Sequence, residues 1–241
     1  MSKPPRLSRS GIDYLDYAWN PYSGCRNQPA GICGPFKCWA ETITGRFKHH
    51  YPNGFEPTCY VWALESPLHF KKPSRIGVAF MGDLFGDWMF DDTPIFGFSG
   101  EGTHRLIRNI VGRCFWHTFI FLTKCPWNLP KWNPWPANCQ VGVTVTNHTQ
   151  LENAYLLSHV EAKVKFLSIE PLLERLGLID IRKDFVQGVI IGAQTGPGAV
   201  KPRIAWIEEI TEAADRAGAK LFYKENLLKL YPELPRRQEI P

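Results

Sequence analysis

The chain has 241 residues, 44% hydrophobic and 21% charged, with a net charge of +5 and a pI near 8.8, the make-up of a globular domain with a buried core rather than of a disordered or fibrous protein. No run approaches the length of a bilayer-spanning apolar helix, and MSKPPRLSRSG carries basic residues with no apolar core behind them, unlike a secretory signal, so a cytoplasmic protein is expected. The basic excess is mild and spread along the chain, with Lys71-Lys72 and Arg236-Arg237 its densest spots; it permits a phosphate-rich partner without requiring one.

Residues 14–19 begin a series of apolar, β-branched and aromatic runs that continues at 76–81, 118–122, 141–145, 165–169, 188–191 and 220–223. Continuous runs of this kind fit parallel strands covered on both faces. Leu106, Ile107, Ile110 and Val111 fall at helical spacing after the second run. Leu151, Tyr155, Leu156 and Val160 do so after the fourth, with Thr149 as the expected N-cap. Residues 204–217 read as an amphipathic helix closed by Gly218. Strands alternating with helices predict a parallel α/β architecture with right-handed crossovers. Seven strands fit an open sheet or a partial barrel, and periodicity does not choose between them. Two stretches break the rhythm: 86–102, rich in Gly, Asp and Phe, and 125–138, with four prolines and three tryptophans. Long irregular loops of this kind are commonly functional. No repeat, linker or second domain is visible, which predicts one domain over 1–241 with its core in 14–225.

Seven cysteines make an odd count without the density of a disulfide scaffold. Cys59, Cys114, Cys125 and Cys139 are scattered, whereas Cys25, Cys33 and Cys38 form a C-x7-C-x4-C cluster in a loop after the first strand run. Three thiolates at a strand's C-terminal end suit three irons of a [4Fe–4S] cubane, leaving the fourth open. The spacing also admits a zinc ion completed by His49, His50 or Cys59. Polar groups follow the later strand runs in turn: Asp83, Lys124, Thr144 with Asn147, Glu170, Gln194, and Lys224-Glu225. That is the face on which (β/α) barrels build their chemistry.

The ordered motifs WNPYSGC with CWAE after it, FMGDLFGDW, FLTKCP, VGVTVTN, FLSIEPLL, VIIGAQTGPG and LFYKE resemble those of the phage-associated three-Cys-motif protein family of unknown function. Its relatives are the radical SAM enzymes and, more distantly, spore photoproduct lyase. The resemblance covers about residues 14–225 and implies a radical-SAM-type partial (β/α) barrel. It also implies a [4Fe–4S] cluster on Cys25, Cys33 and Cys38 that cleaves S-adenosylmethionine reductively, fed by an external electron donor. Gly82 and Asp83 would then take the methionine amino group and Lys124 its carboxylate. Thr144 and Asn147 would bond the ribose, Gly192 and Gln194 would lie against the adenine or the substrate, and Glu170 completes the cofactor-binding set. Phage association and the lyase relation favour a nucleic acid or nucleotide substrate.

The chain departs from the family pattern in four places. The cysteine spacing is stretched by Pro29-Ala30-Gly31 and Pro35-Phe36. Trp39 replaces a tyrosine. Gln194 stands where the family has a glutamate, and Cys125 where it has an arginine. Cys125 reads either as a catalytic hydrogen-atom donor, as a cysteine acts in spore photoproduct lyase, or as a small residue filling a gap. Trp127, Trp132 and Trp135 read either as base-stacking platforms or as core. The rival functions are a non-enzymatic zinc or iron–sulfur protein that binds nucleic acid, and a zinc hydrolase with Glu170 as base.

Overall fold

All seven apolar runs contain strands, and the strands are joined by short ones that no run announces. The computed structural model describes residues 7–28, 30–33, 38–177 and 179–240. The loop extensions expected at Pro29 and at Pro35-Phe36 lie outside the described residues. Two compact units are present. One comprises residues up to Leu129 with Pro136–Cys139; the other comprises Pro130–Trp135 and the chain from Gln140 onward.

In the first unit the elements are β1 (Ser8–Arg9), β2 (Tyr17–Trp19), β3 (Tyr22–Ser23), α1 (Trp39–Arg46), β4 (Thr58–Cys59), β5 (Arg75–Val78), α2 (Gly100–Arg113) and β6 (Thr118–Thr123). The strands run in the order β1-β2-β5-β6. β1 is antiparallel to β2, whereas β2, β5 and β6 are parallel. The core is apolar on both sides, as parallel strands require: Trp19, Ile76, Phe119 and Phe121 are buried with Ile107, Ile110 and Val111 of α2. α2 starts where Ser99 caps it, its hydroxyl accepting from the Gly102 N–H at 3.1 Å. β3 and β4 form a separate antiparallel pair, Tyr22 opposite Cys59 and Ser23 opposite Thr58. Everything from Gly24 to Pro57 is therefore an excursion whose two ends are held side by side.

The second unit carries β7 (Cys139–Thr144, from its second residue), α3 (Leu151–Tyr155), β8 (Val164–Ile169), β9 (Gly188–Ile191), α4 (Ile204–Ala217), β10 (Lys220–Tyr223) and α5 (Glu225–Leu230). Its strands are all parallel, in the order β7-β8-β9-β10. Gly142 in β7 makes room for the Phe166 ring of β8, because a Cβ there would stand 2.3 Å from it. α4 ends on Gly218 in the left-handed region, φ 65°, as its sequence predicts. The chain's last segment covers the outer edge of β10: the Tyr223 N–H donates to Arg237 O at 2.7 Å and the Glu239 N–H to Leu221 O at 3.0 Å. An exposed parallel edge is thus hidden.

The protein is accordingly a mixed α/β structure of mostly parallel strands, and neither unit closes its strands on themselves. Two local expectations are corrected. Thr149 is no helix cap, because its hydroxyl donates to the Asn147 side chain at 2.6 Å; α3 is only one turn and continues as a 3-10 turn over Leu156–His159. Trp132 and Trp135 are buried against each other with ring centroids 4.9 Å apart, so neither is a platform for bases. Among the described residues no helix is long and apolar enough to cross a membrane.

Candidate metal centre

Cys25 is pinned to the strand ends of the first unit by backbone alone. The Gly24 N–H donates to Met81 O at 3.0 Å and the Cys25 N–H to Phe55 O at 3.2 Å. Gly24 also bridges Gly82 in parallel register. The approach is so close that a Cβ on Gly82 would stand 2.3 Å from Gly24 O, and one on Gly24 2.3 Å from Glu56 O. Gly24 adopts φ 90°, a conformation that suits glycine. Ala79, buried with φ 57°, turns the chain out of β5. Its N–H donates to Trp19 O at 2.9 Å and its carbonyl accepts from the Gly82 N–H at 3.0 Å, which sets Gly82 and Asp83 under the cysteine loop. The closeness expected of Gly82 toward a ligand is here a closeness toward Gly24.

Asp83 is the centre of a buried network. Its Oδ1 accepts from the Phe85 N–H at 3.0 Å and the Thr123 hydroxyl at 2.6 Å. Its Oδ2 accepts from the Asn27 amide at 2.7 Å and the Lys124 N–H at 3.0 Å. The Cys125 thiol donates to Asn27 Oδ1 at 3.1 Å, and the Cys125 N–H to the Thr123 hydroxyl at 2.8 Å. Asn27, two residues beyond Cys25, is itself buried, and its N–H donates to Cys25 Sγ at 3.3 Å. The structure therefore brings Gly82, Asp83, Lys124 and Cys125 together under Cys25. Cys125 is buried rather than at an open mouth, with its thiol pushed well up by burial and then by the Asp83 charge, which fits the gap-filling reading. Sequence reasoning missed Asn27, and its position two residues from a candidate ligand is the one signal that points to it.

The three clustered cysteines are free and half-buried. Burial pushes the Cys25 thiol well up, and the charges of Asp83, Cys33 and Cys38 add to that. Burial raises Cys33 as well, against the pull of the Lys124 ammonium. Cys25 and Cys33 therefore lie within electrostatic reach of each other and of Cys38, and the thiolate forms of Cys25 and Cys33 call for a compensating cation, as metal-bound thiolates have. Among the described residues no three His, Cys, Asp or Glu side chains converge as ligands. The donor set itself, three sulfurs on one loop, suits a cubane with one open iron. Zinc would need a fourth ligand. Of the groups named for it, Cys59 is buried with its thiol bonded to Thr103, whereas His49 and His50 stack on each other at 3.8 Å and His50 Nδ1 is buried with no hydrogen-bond partner among the described residues. Cys114 and Cys139 are core thiols, the latter pushed up to about 12 by burial.

The remaining candidates sit in the second unit. Glu170 pairs with the Lys224 ammonium, and its side chain lies across Gly192, where a Cβ would come within 2.9 Å of Glu170 Cγ. The Asn226 amide clamps the next residue, accepting from the Ala193 N–H at 3.2 Å and donating to Ala193 O at 2.8 Å. Thr144 is buried opposite Ser168, whose hydroxyl, also buried, has no partner among the described residues. Asn147 and Gln194 hold their own loops instead: Asn147 through Thr149, and Gln194 by accepting from the Val200 N–H at 2.8 Å. Glu170, Gly192 and Lys224 are thus brought together, while Asn147 and Gln194 are spent locally.

No curated protein and no solved structure matches the chain. One family model matches residues 9–227, spanning both the cysteine loop and the Glu170–Lys224 pair. The chain belongs to that family, described as a protein of unknown function (DUF5131).

Proposed function

We propose that the chain is a radical-SAM-type iron–sulfur enzyme on a partial (β/α) barrel, with Cys25, Cys33 and Cys38 holding a [4Fe–4S] cluster. The observation that supports this reading is the anchoring of the cysteine loop to the strand ends through Asn27, Asp83 and the Gly24–Gly82 approach. When bound, such a cluster supplies an electron for reductive cleavage of S-adenosylmethionine, and the protein supplies binding, orientation and exclusion of water. Asp83 acts here as a positioning residue: a carboxylate offers about four acceptor sites, and its donors within the chain already fill them. Lys124, whose ammonium has no ion pair among the described residues, is the group for an incoming carboxylate. Glu170, held by Lys224, and with it Thr144 and Gly192 are the proposed contacts to the nucleoside or the substrate. The proposed substrate is of the nucleic acid or nucleotide class.

Anaerobic iron–sulfur reconstitution with metal analysis and EPR tests the reading. The expected result is about four irons per chain, lost in the Cys25→Ala/Cys33→Ala/Cys38→Ala variant, with a reduced-state signal that shifts on adding S-adenosylmethionine. A single zinc per chain, or a signal indifferent to the cofactor, would sink it.

A further inference from the structure

α1 and the turn after it present aromatic rings and cations outward, and among the described residues no carboxylate pairs with those cations. Ala40 and Thr44 are the buried positions of α1. Trp39, Ile43 and Arg46 follow one another at i, i+4 and i+7 along another face, and Glu41 lies on the far side from Trp39. Trp39 is 57% exposed and Phe47 39%, and Arg46, Lys48 and His49 are exposed with them. The rings continue into one another: Phe47 lies 6.5 Å from His49 and 6.4 Å from His50. Neither Arg46 nor Lys48 forms an ion pair among the described residues, and no carboxylate occurs between Glu41 and Glu56.

Exposed aromatics scattered singly mean little, but rings interleaved with unpaired cations complement a polyanion that has flat apolar faces. We infer that Trp39, Arg46, Phe47, Lys48 and His49 form a docking surface for single-stranded nucleic acid. Bases stack on the rings, and Arg46 and Lys48 meet the phosphates. The span from Trp39 to Phe47 is about 12 Å, roughly three stacked nucleotides. The strand is held by its base faces and phosphates, which DNA and RNA share. The inference gives a strand-binding surface to the substrate class proposed above, yet none of its residues is a cysteine, so it stands or falls apart from the cluster.

Fluorescence anisotropy with labelled oligothymidylate and oligouridylate, on protein without reconstituted iron, tests it. Both strands are expected to bind within about three-fold of each other. Trp39→Ala/Phe47→Ala is expected to weaken binding at least tenfold, about one stacked base. Arg46→Gln/Lys48→Gln is expected to flatten the plot of log K against log salt by about 1.4, two phosphates at about 0.7 each. All four side chains are exposed, and an unchanged circular dichroism spectrum and unfolding midpoint establish that each variant is folded. No binding at low salt, an unchanged salt slope, or a strong preference for one sugar would overturn the inference. So would concentration-dependent self-association abolished by the aromatic variant, which would make the surface a contact between copies.

Discussion

At Asp83 a single carboxylate receives hydrogen bonds from three separate segments: the cysteine loop, the turn after β5 and the end of β6. Such a buried charge is tolerable because its acceptor sites are filled. Removing one donor leaves the charge short of a partner in a place water does not reach. Asn27→Ala should therefore cost about 2 kcal/mol in urea unfolding, and under the proposed function it should also reduce iron bound after reconstitution. Asn27→Asp should do worse, since two carboxylates would face each other. The role of Asn27 was not legible in the sequence beyond its place two residues from Cys25. Asn27 stands 56 positions from Asp83 and 98 from Cys125, and no local pattern marks a residue whose partners are that remote. Asp83 and Lys124 were visible because they end strand runs.

The elements were read well where they are long and apolar. Strand runs at 188–191 and 220–223 and the helix at 204–217 lie where the structure has β9, β10 and α4. Two-residue strands such as β3 and β4 carry no periodicity to read, although they decide where the cysteine loop begins and returns. The tryptophans of the proline-rich stretch read either as stacking platforms or as core, and for Trp132 and Trp135, paired in the interior, the core reading holds. Only Trp127 is exposed, at 41%, with its indole N–H donating to Asp87 at 2.7 Å. Packing of the cysteine loop depends on two bare Cα atoms, so the element-level prediction concerns glycine. Gly82→Ala should destabilise by about 3 kcal/mol, read from the urea midpoint, because the new methyl meets backbone that has no rotamer to yield. Gly112→Ala, where a Cβ meets nothing within 4 Å inside α2, should be neutral or mildly stabilising by the same measurement.

Stability of the whole molecule should depend on mildly acidic pH through His117. The ring is buried at the start of β6, with Nε2 3.1 Å from Phe70 O and 3.3 Å from Pro67 O. Burial holds its pKa below the ordinary value, against the pull of those carbonyls. Between the lowered folded value and about 6.5 the unfolded chain binds more protons, so stability rises with pH across that window and falls as the solution is acidified through it. The urea midpoint should drop from about pH 7 to pH 5, and His117→Gln should flatten that dependence whatever it does to the midpoint at pH 7.

The paired strands β3 and β4 also set what added length costs the cysteine loop. Its base is closed by the pairing of Tyr22 with Cys59 and of Ser23 with Thr58 and by the Cys25 N–H on Phe55 O, and inserted residues only enlarge a ring that is already shut. Doubling such a ring costs about 0.6 kcal/mol in closure entropy, so intervals as wide as C-x7-C-x4-C are cheap to acquire and leave Cys25 in place. The excursion from Gly24 to Pro57 can thus take added length beyond Asn27 without disturbing its base, while Gly24, Asn27, Gly82 and Asp83 form the socket that holds it.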